Sequence, residues 1–402
     1  MKTVTIPVQG QIEIELAVEL EKQSVYISPL LQSFKVSGDG THVVVGHRDE
    51  DEASMSRKVT RFLEAMRRGF RPSEKKMLVE NKRLDARPYE VNVFDKLVQR
   101  GWVIPLGPGQ VALSGAALHV ARAVDESVAA VGRTRFGGEE RSYPTVIPGE
   151  ALVRCGYTSS MPQHLSIVTH MQEDFEAIDE FRNANINKQT LHIPNPGAFG
   201  SPKVCLCPAL CYHTYPTLAG KTLGDGGHVE TSVGRIARYE SSSMVGLDRL
   251  WEFTQRSIIW LGAEGFCNER REWAIDTATT LARRWDIDFS IETANDPFFA
   301  SVATAMTLWQ RTKDLKFEMR AGIEPALDGT ARDIAVASFN LHGAHFGDAF
   351  EIRDSTAKAA HSGCASWGIE RWVLVIFTQH GLDIAEWPQS LREALTISAS
   401  SY

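Results

Sequence analysis

Three stretches far apart in the chain carry arginines at spacings that suit a bound triphosphate. They are Arg238-Tyr239-Glu240, the run Arg249-Leu-Trp-Glu-Phe253-Thr-Gln-Arg-Ser257, and Gly363-Cys364-Ala-Ser-Trp-Gly368-Ile-Glu370-Arg371. A guanidinium fork matches phosphate oxygens two at a time, and an aromatic face can stack on a purine. If the first two stretches form a hairpin, side chains two apart share a face. Arg238 then faces the same way as Glu240, and Arg249, Trp251, Phe253, Gln255 and Ser257 share a face of the second strand. Arg371 falls in the first turn of a helix that begins near Gly368. The helix macrodipole disfavours a cation there, so an anion bound nearby would account for it. Ordinary ion pairs are the alternative: a solvated hairpin for the first two stretches and an Arg371–Glu370 pair for the third. Cys211 and Cys364 stand where a metal could join the same site.

The elements that must position these residues read as α+β. Residues 1–50 are strand-like: Gln11-Ile-Glu-Ile-Glu-Leu16 alternates, and His42-Val-Val-Val45 follows the turn signal Gly38-Asp-Gly40. Ser54 is read as the N-cap of a helix carrying Met55, Val59, Phe62, Leu63 and Met66 at helical spacing. Its other face is basic, with Arg57, Lys58, Arg61, Arg67 and Arg68. That face is either solvated or a dock for an acidic carrier protein or a nucleic acid. Residues 1–75 are therefore expected to form a small α+β domain ending near Pro72, and 72–88 a linker. The main domain is expected over 85–402. In it the patterns give a helix at 112–132, an extended Tyr143–Pro148, and loops at 200–225. Two strands over 229–262 flank a turn at Ser241-Ser-Ser243, followed by a helix Asn268–Trp285. Strands at 333–340 and 346–352 then precede the helix from Gly368. Regular βαβ alternation is missing, as are a Walker A loop and a Gly-x-Gly-x-x-Gly turn, so a sheet surface and arginines must hold any nucleotide.

Composition narrows the class. The 402 residues are 43% hydrophobic and 23% charged, ordinary for a soluble globular protein. A net charge of −7 argues against an extended nucleic-acid surface. Six cysteines, three of them between 205 and 211, do not make a disulfide framework. Reduced thiols, a start without a basic-then-apolar leader and the lack of an 18-residue apolar run place the expectation in the cytoplasm.

The Arg-x-Glu strand, Gly246-Leu-Asp-Arg249 with Glu252-Phe253-Thr, and Gly368-Ile-Glu-Arg371 resemble motifs 2 and 3 of class II aminoacyl-tRNA synthetases. Cys211-Tyr-His-Thr-Tyr-Pro, Ala294-Asn-Asp-Pro-Phe-Phe299, Ala337-Ser-Phe-Asn340, His345-Phe-Gly347 and Gly368-Ile-Glu-Arg-Trp-Val373 narrow it further. Together they resemble the bacterial amino acid:[carrier protein] ligases, which are similar to the catalytic core of the atypical archaeal seryl-tRNA synthetases. The resemblance spans roughly residues 85–385. It implies a six- or seven-stranded antiparallel sheet flanked by helices, a homodimer, and activation of an amino acid as its adenylate with ATP and Mg²⁺. The aminoacyl group would pass to a carrier-protein phosphopantetheine thiol. By motif, Arg238 would hold the α-phosphate and the substrate carboxylate, Glu240 the adenine end and Arg249 the γ-phosphate. Phe253 and Arg371 would sandwich the adenine, with Asn340 in the amino-acid pocket. His213 and His342 fall near that pocket by motif position.

The resemblance also implies a catalytic zinc held by Cys, Glu and Cys, with the substrate amine in the open position. The cysteines match Cys211 and Cys364, but the glutamate position is Ser257, a poor ligand. Three readings stay open: zinc with a substitute ligand such as Cys207 or water, a metal-free pocket for a different substrate, or an impaired site. The two thiols are otherwise small buried side chains. The expected function is an adenylate-forming ligase for a small amino acid or related carboxylate, with a carrier protein as acceptor and tRNA disfavoured. The alternatives are a seryl-type tRNA synthetase, with residues 1–75 binding tRNA, and a non-catalytic adenylate- or amino-acid-binding protein.

Overall fold

β-Branched residues at Val43-Val44-Val45 suit a pleated, half-buried surface, and they form the centre of a small sheet. The computed structural model describes residues 2–48, 50–69, 76–85, 87–240, 244, 246–294, 296, 314–324 and 332–400. At its start come β1 (Lys2–Pro7), α1 (Ile14–Gln23), β2 (Leu31–Val36), β3 (His42–His47) and α2 (Glu52–Gly69). The strands pair antiparallel in the order β1-β3-β2. Val4, Ile6, Val43 and Val45 from the sheet meet Leu16, Leu20, Met55, Val59, Leu63 and Met66 from the helices in a core of their own. Two local expectations change here. The alternating run at Gln11–Leu16 turns into helix α1 at Ile14, because Ile12, Leu16 and Leu20 recur at four-residue spacing and all bury. Asp51, not Ser54, caps α2: its carboxylate accepts the Ser54 backbone N–H at 3.0 Å, while the Ser54 hydroxyl bonds Glu50.

The larger part contains β4 (Met77–Asn81), α3 (Val93–Gln99), β5 (Val103–Gly107), β6 (Gln110–Leu113), α4 (Gly115–Thr134), β7 (Glu139–Arg141) and β8 (Val146–Pro148). It continues through α5 (Gly149–Arg154), α6 (Tyr157–Ser160), β9 (Ile167–Val168), α7 (Phe175–Asn185), β10 (Val204–Leu206), α8 (Cys211–Thr217), β11 (His228–Ala237) and β12 (Glu252–Gly262). The last elements are α9 (Glu264–Arg284), β13 (Phe289–Thr293), β14 (Lys316–Glu324), β15 (Arg332–Gly343), α10 (His345–Ala349), β16 (His361–Gly368), α11 (Ile369–His380) and α12 (Gln389–Ser400). Eight strands form one sheet in the order β4-β13-β14-β15-β16-β12-β11-β7. Neighbours are antiparallel except β7, which runs parallel to β11 at the edge, where Arg141 reaches Glu230 at 3.2 Å. The expected six or seven antiparallel strands thus become eight, with one parallel edge.

One sheet face packs against α4, α9 and α11 around Ile258, Trp260, Ala365 and Trp367. Helix α11 explains its depth: every residue of Trp372-Val-Leu-Val-Ile-Phe377 is buried. Residues 77–81, in the stretch read as linker, pair as β4 with β13. The expected strand at 346–352 is instead α10, because Phe346 and Phe350 bury at helical spacing. Gly347 lets that turn press on Ala360, whose carbonyl would lie 2.1 Å from an added Cβ. The expected loops at 200–225 contain β10 and α8. The turn at Ser241–Ser243, most of Ala294–Phe299 and the boundary near Pro72 lie outside the described residues. Among the described residues no helix is long and apolar enough to cross a membrane.

Candidate functional site

Strand register builds the site. Lys316 of β14 pairs with Asn340 of β15, Asn340 with Cys364 of β16, and Cys364 with Ile259 of β12. Two residues along, Glu318, Ser338, Ser366 and Ser257 form the next row. Residues two apart share a sheet face, so both rows lie opposite the face that α9 and α11 cover. A cavity of about 540 Å³ opens over them. Arg238, Glu240, Arg249, Asn340, Cys211, Cys364 and Arg371 line it; Phe253 and Ser257 do not.

The two motif strands of the sequence reading are shorter than expected at this end. Arg238-Tyr239-Glu240 lies just beyond β11, and Arg249 and Trp251 precede β12. The Arg238 N–H still donates to the Trp251 carbonyl at 2.8 Å, so the chains stay paired where the side chains enter the cavity. Arg238 Nε donates to the Pro208 carbonyl at 2.7 Å, and its guanidinium stands 5.8 Å from the Phe253 ring centroid. Arg371 Nε donates to the Asp248 carbonyl at 2.8 Å and Nη1 to the Ala335 carbonyl at 3.0 Å. Among the described residues neither guanidinium has a carboxylate within 4 Å.

Other cations in the same sheet are neutralised. Arg249 lies 3.4 Å from Glu240. Arg256, on the core face, bonds Asp125 at 2.6 Å and Glu140 at 3.2 Å. Lys316 bonds Asp296 at 2.7 Å and Glu318 at 3.1 Å. The Arg371–Glu370 pair weighed as an alternative does not form. Glu370 instead accepts the Thr254 N–H at 2.8 Å, the Thr254 hydroxyl at 2.9 Å and Arg235 at 3.3 Å, which ties α11 to β12. Burial pushes its carboxyl up, with the Arg235 charge and the Thr254 bonds pulling the other way.

At the far end of the cavity the Cys211 thiol donates to Cys364, which holds Cys364 well below the usual thiol range. Sharing that proton and being buried, Cys211 is pushed up. Asn340 Nδ2 lies 3.5 Å from Cys364 Sγ and His342 Nε2 lies 3.8 Å from it. Ser362 Oγ, 3.0 Å from His342 Nδ1, fixes the ring. Gly363 makes room for this strand, since an added Cβ would meet Trp260 and Asn340 at 2.5 and 2.6 Å.

Ser257 is fully buried and its hydroxyl is spent on Ser366 at 2.8 Å. Cys207 gives its thiol to the Ala209 carbonyl at 3.1 Å and does not line the cavity. Among the described residues no three His, Cys, Asp or Glu side chains are grouped to hold a metal ion. A three-ligand zinc does not fit this donor set, because the position that needs a carboxylate holds a neutral, already bonded hydroxyl. His213 is also absent from the cavity: it stacks on Tyr143 with centroids 5.0 Å apart, and burial lowers its pKa.

Sequence reasoning missed Lys316 and Glu318, and it placed Gln255 on the site's strand face without a role. The first two alternate with the buried apolar Phe317 and Met319, a strand signal whose charged face turns out to look into a cavity. Gln255 Oε1 accepts the Leu210 N–H at 3.0 Å and so anchors the start of α8, which carries Cys211.

No protein-family model matches the chain. Over 278 residues it is 31% identical to amino acid–[acyl-carrier-protein] ligase 2 of Bradyrhizobium diazoefficiens, covering 68% of this chain and 80% of that protein. The type-2 serine–tRNA ligase of Methanocaldococcus jannaschii is 27% identical over 309 residues, 76% of this chain. The chain spans only 58% of that relative's length. Among solved structures, the M. kandleri SerRS in complex with A. aeolicus tRNASec gives a TM-score of 0.70 at 20% identity, over 99% of this chain and 78% of that one. The cytoplasmic serine–tRNA ligase of Naegleria fowleri, in complex with AMP, gives 0.60 at 11% identity over 80% of this chain and 71% of that one. The expected α+β architecture is the fold these structures share.

Proposed function

The chain belongs to the amino acid–[acyl-carrier-protein] ligase family, of class II aminoacyl-tRNA synthetase type, and from that premise we propose that it makes and transfers an adenylate. Its substrate is a small amino acid or related carboxylate, activated with ATP and passed to a carrier-protein thiol. The observation that carries the reading is the pair Arg238 and Arg371, two cavity cations that bond backbone carbonyls and have no described carboxylate within 4 Å. Leaving a partly desolvated cation unpaired costs several kcal/mol, roughly 3–5 for a fully buried one, so the pair suits an anionic ligand. Arg249, already beside Glu240, can turn to a phosphate at small cost.

In the proposed reaction a substrate carboxylate oxygen attacks the α-phosphorus of ATP, and the bond to pyrophosphate breaks. Arg238, held by Pro208, is set to neutralise the charge that builds on the α-phosphate, and Arg371 to cover the nucleotide. Phe253 acts through Arg238, keeping its guanidinium in place. Asn340 and the serine row offer neutral donors and acceptors to the substrate, with Ser257 contributing through Ser366. Magnesium, when bound, would supply further neutralisation of the phosphates, and Glu240 and Asp248 on the cavity wall are donors of the type it takes. We further propose a homodimer, a cytoplasmic location, and residues 1–75 as a separate accessory domain.

A tRNA acceptor is the second reading. It is favoured by the likeness in fold over 99% of this chain, N-terminal residues included, to a serine–tRNA ligase structure. Carboxylate-dependent ATP–pyrophosphate exchange across a substrate panel tests activation; ATP binding without exchange for any carboxylate would favour a binding protein. Transfer of labelled substrate to a holo carrier protein or to bulk tRNA then decides the acceptor.

A further inference from the structure

The cavity wall is completed from outside the large sheet. Gln23, Val25 and Tyr26, at the end of α1 and in the turn after it, line the same cavity as Arg238, Glu240 and Arg249. That turn is fixed in its own unit: Ser24 is buried, its hydroxyl donates to the Glu21 carbonyl at 2.8 Å, and its carbonyl accepts the Ile27 N–H at 2.9 Å. Leu20, one turn earlier, is fully buried in the N-terminal core.

The Tyr26 ring sits 6.4 Å from the ring of His164, tilted by 44°. The His164 carbonyl in turn accepts the Tyr239 N–H at 3.1 Å, between Arg238 and Glu240. A single path therefore links the tyrosine to the backbone that carries the cavity's first arginine. Burial and the Glu240 carboxylate both raise the phenol above the ordinary tyrosine value, and Arg249 acts the other way. The phenol accordingly stays an O–H donor at neutral pH, suited to a phosphate or purine acceptor.

We propose that Tyr26 is a nucleotide-contacting residue, so that the ATP site is a composite of the N-terminal unit and the large sheet. The inference rests on the ATP reading above and adds a residue that lies outside the stretch resembling the synthetase core. A tyrosine body packed on the cavity rim excludes water from the Glu240–Arg249 end, and its hydroxyl supplies a directed donor there.

Equilibrium titration of the full-length protein with ATP tests this without requiring turnover. Tyr26→Phe should weaken ATP binding about threefold and Tyr26→Ala about tenfold, the latter equal to about 1.4 kcal/mol. In pyrophosphate exchange the KM for ATP should rise with kcat little changed, and the thermal midpoint of the free protein should stay put. Wild-type binding with both variants unchanged would overturn the inference alone. No ATP binding by the wild type would overturn the nucleotide reading and the inference with it. A midpoint drop in both variants, with kcat and KM moving together, would make Tyr26 a structural residue and also overturn it.

Discussion

Replacing Arg238 by alanine separates a ligand-facing cation from a structural one. In the free protein Arg238 makes one hydrogen bond to the Pro208 carbonyl at 2.7 Å and stands 5.8 Å from the Phe253 ring. Losing that bond costs about 1–3 kcal/mol, since the donor is charged. Removing a partly buried cation with no described carboxylate within 4 Å acts in the opposite direction, because its desolvation is no longer incurred, and the longer-range attraction of Glu240 and Asp296 offsets only part of that. The two effects nearly cancel, and the unfolding free energy without ligand should change by less than about 1 kcal/mol. The reaction should suffer far more. A preorganised donor aimed at developing charge is worth roughly 2.7–4 kcal/mol, so pyrophosphate exchange should fall about 10²- to 10³-fold. Urea unfolding and exchange rates measured on the same preparation give both numbers. Exchange within about threefold of wild type, together with a stability loss of about 3–5 kcal/mol, would refute the reasoning. That pattern belongs to a broken ion pair, not to an arginine waiting for a phosphate.

Arg371→Lys keeps the charge but cannot reach the Asp248 and Ala335 carbonyls together, so the KM for ATP in exchange should rise about tenfold or more; an unchanged KM would remove Arg371 from the site. Glu230 is fully buried, which raises its carboxyl, but bonds from His228 at 2.9 Å, Thr214 at 2.7 Å and Tyr143 at 2.8 Å, with Arg141 nearby, outweigh burial and lower it. A lowered carboxyl stabilises the fold above the usual glutamate range and loses that contribution as pH falls through its own value. Glu230→Gln should therefore destabilise by about 3–5 kcal/mol at neutral pH and flatten the acid limb of a urea-unfolding series, whereas a parallel acid limb would contradict it. Purified protein should carry less than roughly a tenth of an equivalent of zinc, and chelators should leave exchange intact; stoichiometric zinc by elemental analysis would show that the missing ligand is supplied elsewhere.

Much of the proposed nucleotide end was legible in the residues themselves. Arg238, Glu240, Arg249 and Arg371 are charged side chains at alternating or cap positions, and such local spacing survives whatever the chain does elsewhere. The four do line one cavity. The weakness lay in short-range pattern where helix and strand compete. Gln11–Leu16 alternates, yet burial of Ile12, Leu16 and Leu20 on one side makes a helix; Phe346 and Phe350 do the same for α10. Strand parity put Phe253 on the cavity face; within β12, opposite Ile236, it stands beside Arg238 without lining the cavity.

By itself, then, the sequence determined which side chains carry charge, how they alternate, and that Ser257 stands where the resemblance implies a carboxylate ligand for zinc. Only the tertiary structure decided which of those charges are neutralised. Cross-strand register joins Lys316, Asn340 and Cys364 from positions tens of residues apart. Packing of helices, strands and loops against that sheet sets Arg256 beside Asp125 of α4 and Lys316 beside Asp296, while Arg238 and Arg371 bond backbone carbonyls. Packing of the N-terminal unit brings Tyr26 to the cavity. The physical reason is common to all three: ion pairing and cavity walls depend on distances of a few ångströms between distant segments, and no local pattern in a chain encodes those distances.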